Sequence, residues 1–98
     1  MNEEYLQKVA QSEQRDITLA SREGRFWDYI SERAMEIQRD EDGAIEKIIF
    51  SIGGPNIWLD FKENPGFVVA AYAYEVKKSG IPWADWDNIQ LELEEIYE

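Results

Sequence analysis

Apolar positions along this chain switch rhythm twice, from helical spacing to alternation and back. Near the start, Tyr5, Leu6, Val9 and Ala10 fall at i, i+1, i+4 and i+5, one side of a short helix. The polar stretch Gln11 to Asp16 reads as its end, and Ile17 to Ala20 fits loop or helix equally well. Ser21 is a good N-cap, with Glu23 in the first turn behind it. From there Phe26, Trp27, Ile30, Ala34 and Ile37 keep helical spacing as far as Arg39, which predicts a long second helix. Asp40-Glu41-Asp42-Gly43 closes it, with Gly43 suited to the left-handed region.

After Gly43 the period falls to two. Ile48, Phe50 and Ile52 alternate in a first strand, and Ile57, Leu59 and Phe61 in a second. The stretch FSIGGPNIWLDF runs from the end of the first strand through the second. Its GGPN centre reads as a turn, because Pro55 removes an NH donor that a phosphate loop would need and a strand follows where that loop wants a helix. Asn56 and Gly66, each just after a proline, are placed for positive φ. A third strand is expected over Phe67 to Val76. Its Ala71/Ala73 face lets helices approach, and Tyr72 and Tyr74 then lie on the open face near Trp58. Lys77-Lys78-Ser79-Gly80 ends the strand, and Asp85 is the expected N-cap of a last helix whose apolar arc is Trp86, Ile89, Leu93, Ile96 and Tyr97. The expected fold is therefore α+β: two N-terminal helices, a three-stranded antiparallel β-meander and a C-terminal acidic helix, in one domain over residues 1–98.

Charge then narrows the function. With 21 acids against 10 bases the formal charge is −11, which repels nucleic acid and acidic lipid and favours a basic partner. Acids outnumber bases 12 to 7 in residues 1–49 and 9 to 3 in residues 50–98, so the charge belongs to the folded surface and not to a tail. There is no cysteine and no histidine, so disulfides, thiolate chemistry and the usual neutral-pH general base are absent. Carboxylate pairs such as Asp60/Glu63 and Asp85/Asp87 exist, but among 21 acids such pairs arise by chance. We expect no enzyme activity, no cofactor and no metal site. No apolar run approaches the ~20 residues of a membrane span, and MNEEYLQK has no signal-peptide core, so a soluble cytoplasmic protein is expected.

Two acidic stripes are the candidate binding surfaces. On the expected long helix, Asp28, Glu32, Glu36 and Asp40 recur every four residues, about 6 Å per step, roughly the interval between phosphates in a nucleic-acid strand. Like charges at that spacing repel mildly, and Arg25 and Arg39 lie near the ends of the stripe. The alternative is an ordinary solvated face. On the last helix, Asp87, Glu94 and Glu98 share a face with Leu91, an apolar residue among acids that suits docking on a basic, partly apolar groove, or is a single exposed leucine. Trp58 alternates away from Leu59, so it is either covered by the first helix or an exposed aromatic anchor.

The run IFSIGGPNIWLDF followed by GIPWADWDN resembles a class of small acidic proteins of bacteriophages and other mobile elements, over Ile48 to Glu98. The resemblance implies an inhibitor of host defence of the anti-CRISPR or anti-restriction type, acting in the host bacterial cytoplasm. The implied partner is a basic nucleic-acid-binding protein, a CRISPR effector subunit or nuclease, whose groove the acidic surface occupies in place of DNA. Direct binding to nucleic acid or to a membrane is not implied. The bases in residues 1–49 depart from the most extreme DNA mimics and confine any mimicry to part of the surface. The alternative is an acidic interaction module without mimicry, such as an antitoxin, immunity protein or adaptor.

Overall fold

A computed structural model describes the backbone of residues 2–97 and the side chains of residues 2–95. The class is α+β, with three helices and a five-stranded antiparallel sheet among the described residues. The elements run α1 Glu3–Arg22, α2 Phe26–Arg33, β1 Glu36–Arg39, β2 Ile45–Ser51, β3 Asn56–Asp60, β4 Phe67–Tyr72, β5 Glu75–Gly80 and α3 Trp83–Tyr97. Strand order follows the chain, β1-β2-β3-β4-β5, so the meander is real but has two more strands than expected.

The first correction is α1, which continues through Gln11–Asp16 and includes Ser21 in its last turn. Asn2 caps it by accepting from the Tyr5 NH at 2.7 Å. Its inward stripe is Leu6, Ala10, Glu13, Ile17 and Ala20, spaced at 3.6 residues, with a carboxylate in the middle. Glu13 is 5% exposed and tolerated there because α2 supplies two donors, the Tyr29 hydroxyl and Arg33 Nη2 at 2.9 Å. The helix stops in a Schellman arrangement: Gly24, at φ +70, donates to the Ser21 carbonyl, and Arg25 donates to that of Ala20.

The second correction concerns the long helix. It ends at Arg33, and Ala34 turns into extended geometry at ψ 132. Nothing in Ala34-Met35-Glu36 disfavours helix; the sheet overrides that preference. Met35 NH bonds to the Ile49 carbonyl, and Ile37 pairs with Ile48 across β1–β2. Gly43 does hold positive φ (+86), but it serves a hairpin: Asp40 NH and the Ala44 carbonyl close the loop at 2.8 Å.

The third correction concerns Phe67 to Val76, which folds back as β4 and β5 round Ala73-Tyr74, so Lys77–Gly80 lies in a strand. Ala73 takes φ +54. Asn56 and Gly66 are not in the positive-φ region; Gly53 is, and the Asn56 side chain accepts from its NH at 2.8 Å. The covered sheet face is also the opposite of the expected one. Ile48, Phe50, Leu59, Val68 and Ala70 point into the core beneath the helices. α1 lies across β4 and β5, with Lys77 paired to Glu3 at 3.6 Å and Gln7 donating to the Lys78 carbonyl. Each fully buried aliphatic side chain contributes about 1.5–3 kcal/mol.

α3 closes the core with Trp86, Ile89 and Leu93, all under 9% exposed. Asp85 is not a free cap: it is 3% exposed, accepts from Arg22 Nε at 2.9 Å, and pins the end of α1 to the start of α3. Glu92 reaches across to accept from the Trp27 NH at 3.2 Å, at the donor-rich N-terminus of α2. Ile96 and Tyr97 side chains and Glu98 lie outside the described part.

Candidate partner-binding surface

The acids of the first stripe do not form a stripe. Asp28 and Glu32 are exposed on α2, whereas Glu36 sits on β1 and Asp40 in the hairpin. Asp40 is occupied locally, its Oδ1 accepting from the NH groups of Asp42 and Ala44 at 2.9 and 3.0 Å. Arg25 is held above its usual range first by its hydrogen bond to Glu23, with Asp28 and Glu32 adding attraction. The even four-residue ladder required one continuous helix, and the strand at Glu36 breaks it.

The second stripe survives as far as it is described. α3 runs unbroken past Asp87, Leu91 and Glu94, all exposed, with Leu91 at 58%. Its buried arc, Trp86, Ile89 and Leu93, joins the core beside α1 and α2, which turns these three outward. Glu98, the fourth member, lies outside the described residues.

Beside this face is a groove of about 630 Å³ that the sequence pattern did not reveal. Three segments far apart in the chain build it: the β1–β2 hairpin, the loop after β3, and α3. Phe61, Trp86 and Leu93 give it apolar walls, the two rings 5.0 Å apart and tilted by 47°. Glu63, Asp87 and Glu94 bring carboxylates, and Arg39 brings one guanidinium, whose Nη1 donates to the Gly43 carbonyl at 3.0 Å. Gln90, one helical turn from Asp87 and Glu94, also lines it, and its buried Nε2 has no hydrogen-bond partner among the described residues. Asp87 and Glu94 thus serve both the outer face and the groove.

Trp58 is not covered by α1. It pairs with Ile49 and Val69 on the helix-free face of the central strand, while α1 lies over the other face. Lys47 Nζ stands 4.8 Å from its ring centre, and its indole NH donates to Asp60 at 3.1 Å. Tyr72 does not join it, since by strand alternation it shares the face of Ala70, and fully exposed Tyr74 sits in the turn. Asp60 also accepts from the Lys62 NH, and Asp85 and Asp87 point to different surroundings, one buried and one exposed. Among the described residues no three Asp or Glu converge as a metal-binding group, and no helix is long and apolar enough to cross a membrane. Comparison with protein-family models, curated proteins and solved structures finds no match to this chain.

Proposed function

We propose that this chain is a stoichiometric acidic interaction module that docks α3 and its adjoining groove on a basic surface of a partner protein, without catalysis. The observation that supports it most is the outward face of α3, where Leu91 is exposed between carboxylates on a helix whose opposite side is fully used by the core. Each exposed ion pair contributes under about 1 kcal/mol, so affinity comes from several carboxylates acting together with apolar contact at Leu91. Competition with nucleic acid, the mode in which such a protein inhibits a CRISPR effector in the bacterial cytoplasm, is the narrower form of this reading. It rests on α3 alone once the Asp28–Asp40 ladder is broken.

The test uses paired baits in a bacterial lysate, the parent chain and Asp87→Lys/Glu94→Lys, with captured proteins quantified by mass spectrometry. Basic nucleic-acid-binding proteins should be held by the parent and lost from the variant. Identical captured sets reject the α3 surface and leave the Trp58 face as the contact. Supplying DNA to the captured partner first separates the two forms: a mimic is displaced, and a plain interaction module is not.

A further inference from the structure

We propose that the helix-free face of the sheet docks on the same face of a second copy of this chain, as a two-fold dimer. One row of directly paired residues crosses that face from edge to edge: Glu36 on β1, Ile49 on β2, Trp58 on β3, Val69 on β4 and Lys78 on β5. It has an acid at one end, a base at the other and apolar side chains between them. Such a row is complementary to its own reverse. Turned about a two-fold axis running along β3, each copy's Glu36 meets the other's Lys78, and Trp58 lies against its own counterpart. The next row obeys the same operation. Lys47 on β2 and Phe67 on β4 flank Asp60 on β3, so each copy's Lys47 comes over the other's Phe67. Glu36 and Lys78 are exposed, and Trp58, Lys47 and Phe67 partly so, which lets all five touch an occupant. Val69 and Asp60, 2% and 6% exposed, lie beneath them and make no contact.

Charge selects a second copy over other partners. The chain carries −11, yet the strands show two lysines on this face, Lys47 and Lys78, against one exposed acid, Glu36. Two copies therefore meet here without setting exposed acid against acid, while their acidic helices stay on the outer sides. A basic partner is drawn to those helices instead, and nucleic acid is repelled by the rest of the molecule. The inference is independent of the interaction reading above, since each α3 face remains open in the dimer. Sheets stack about 10 Å apart with their strands roughly aligned, a gap that a glutamate and a lysine span together. Val76 on β5, 50% exposed, leaves further apolar surface on this face for pairing to cover. The face measures roughly 20 by 17 Å, small beside the about 800 Å² that each partner gives to a stable complex. The dimer is accordingly weak, with a Kd of tens to hundreds of micromolar.

The experiment is sedimentation equilibrium of the purified chain from about 1 µM to about 1 mM. Its mass should rise from monomer toward dimer across that range. Glu36→Lys and Lys78→Glu, each alone, set like charges against each other twice per dimer and should weaken association at least about tenfold. Combining Glu36→Lys with Lys78→Glu in one chain exchanges the two ends of the row. That double variant should return to within about threefold of the parent. An equimolar mixture of the two single variants should also associate, because each then finds opposite charges on the other. Trp58→Ser should abolish association, with circular dichroism as the folding control, and the charge exchange carries the test should that variant unfold. Asp87→Lys/Glu94→Lys, on the outer helix, should not weaken it. A parent that stays monomeric at the highest concentration overturns the proposal. So does a double variant that associates no better than either single one, or association that survives Trp58→Ser in the folded chain.

Discussion

Arg33 Nη2 meets Glu13 Oε1 at 2.9 Å, and the two ends of this ion pair are unequally placed: the arginine side chain is 48% exposed and the glutamate 5%. Removing either end therefore has different consequences. Without Arg33 the carboxylate stays buried, with Tyr29 as its remaining side-chain donor; without Glu13 the guanidinium turns to water. Arg33→Ala should destabilise by about 2–3 kcal/mol. Glu13→Leu, which restores an apolar stripe on α1, should cost less than Arg33→Ala. Urea unfolding of both variants checks the order, and a reversed ranking removes the asymmetry argument.

Gly66 is required by contact and not by φ. A Cβ there would lie 2.3 Å from Cη2 of Trp86 and 2.4 Å from the Asp60 carbonyl oxygen, and the second is backbone that cannot swing aside. Gly66→Ala should cost on the order of 2–3 kcal/mol, the upper range for overpacking. Thermal unfolding measures it; an unchanged midpoint means that α3 does not sit on this loop.

Ala73 occupies the left-handed region at φ +54, where a side chain carries a strain of about 1 kcal/mol or more. Ala73→Gly should raise stability by about 0.5–1 kcal/mol, after the extra entropy glycine brings to the unfolded chain is subtracted. A loss of stability in denaturant titration contradicts the turn geometry.

Acid should stabilise this protein at first. The Glu75 carboxyl is held above its ordinary range by a hydrogen bond with Glu3 and by that neighbour's charge, with Lys77 in partial opposition. The folded state thus binds this proton more tightly than the unfolded state, so the contribution is present at low pH and is lost as pH rises through the raised value. Melting temperature should climb slightly as pH falls through that raised value toward the usual carboxylate range. Glu75→Gln should raise the neutral-pH value slightly and flatten the climb.

How much of this was legible depends on where the deciding contact lies in the chain. β2, β3 and α3 carry their own signals, in alternating Ile48/Phe50 and Ile57/Leu59 and in an acidic segment with one apolar arc. The length of α1 was hidden because Glu13 interrupts its stripe, and the groups that make Glu13 a core residue belong to another helix. Ile37 is in phase with Ile30 as helix and with Arg39 as strand, and only its pairing with Ile48 decides between them. Asp42-Gly43 between two short apolar runs was the available hairpin cue. The α3 face was readable from one segment; the groove, assembled from three, was not.

The path of the chain sets an order on synthesis. Strands pair with the neighbour made just before them, so the sheet can zip up as the chain emerges. α1 precedes every strand, yet its surfaces rest on β4, β5 and α3, which come later in the chain. Until then Leu6, Ala10 and Ile17 have no cover and Arg22 has no Asp85. A chain cut before Trp83 therefore has the sheet that α1 lies on but lacks the Arg22–Asp85 clasp and the Trp86, Ile89 and Leu93 side chains that close the core around it.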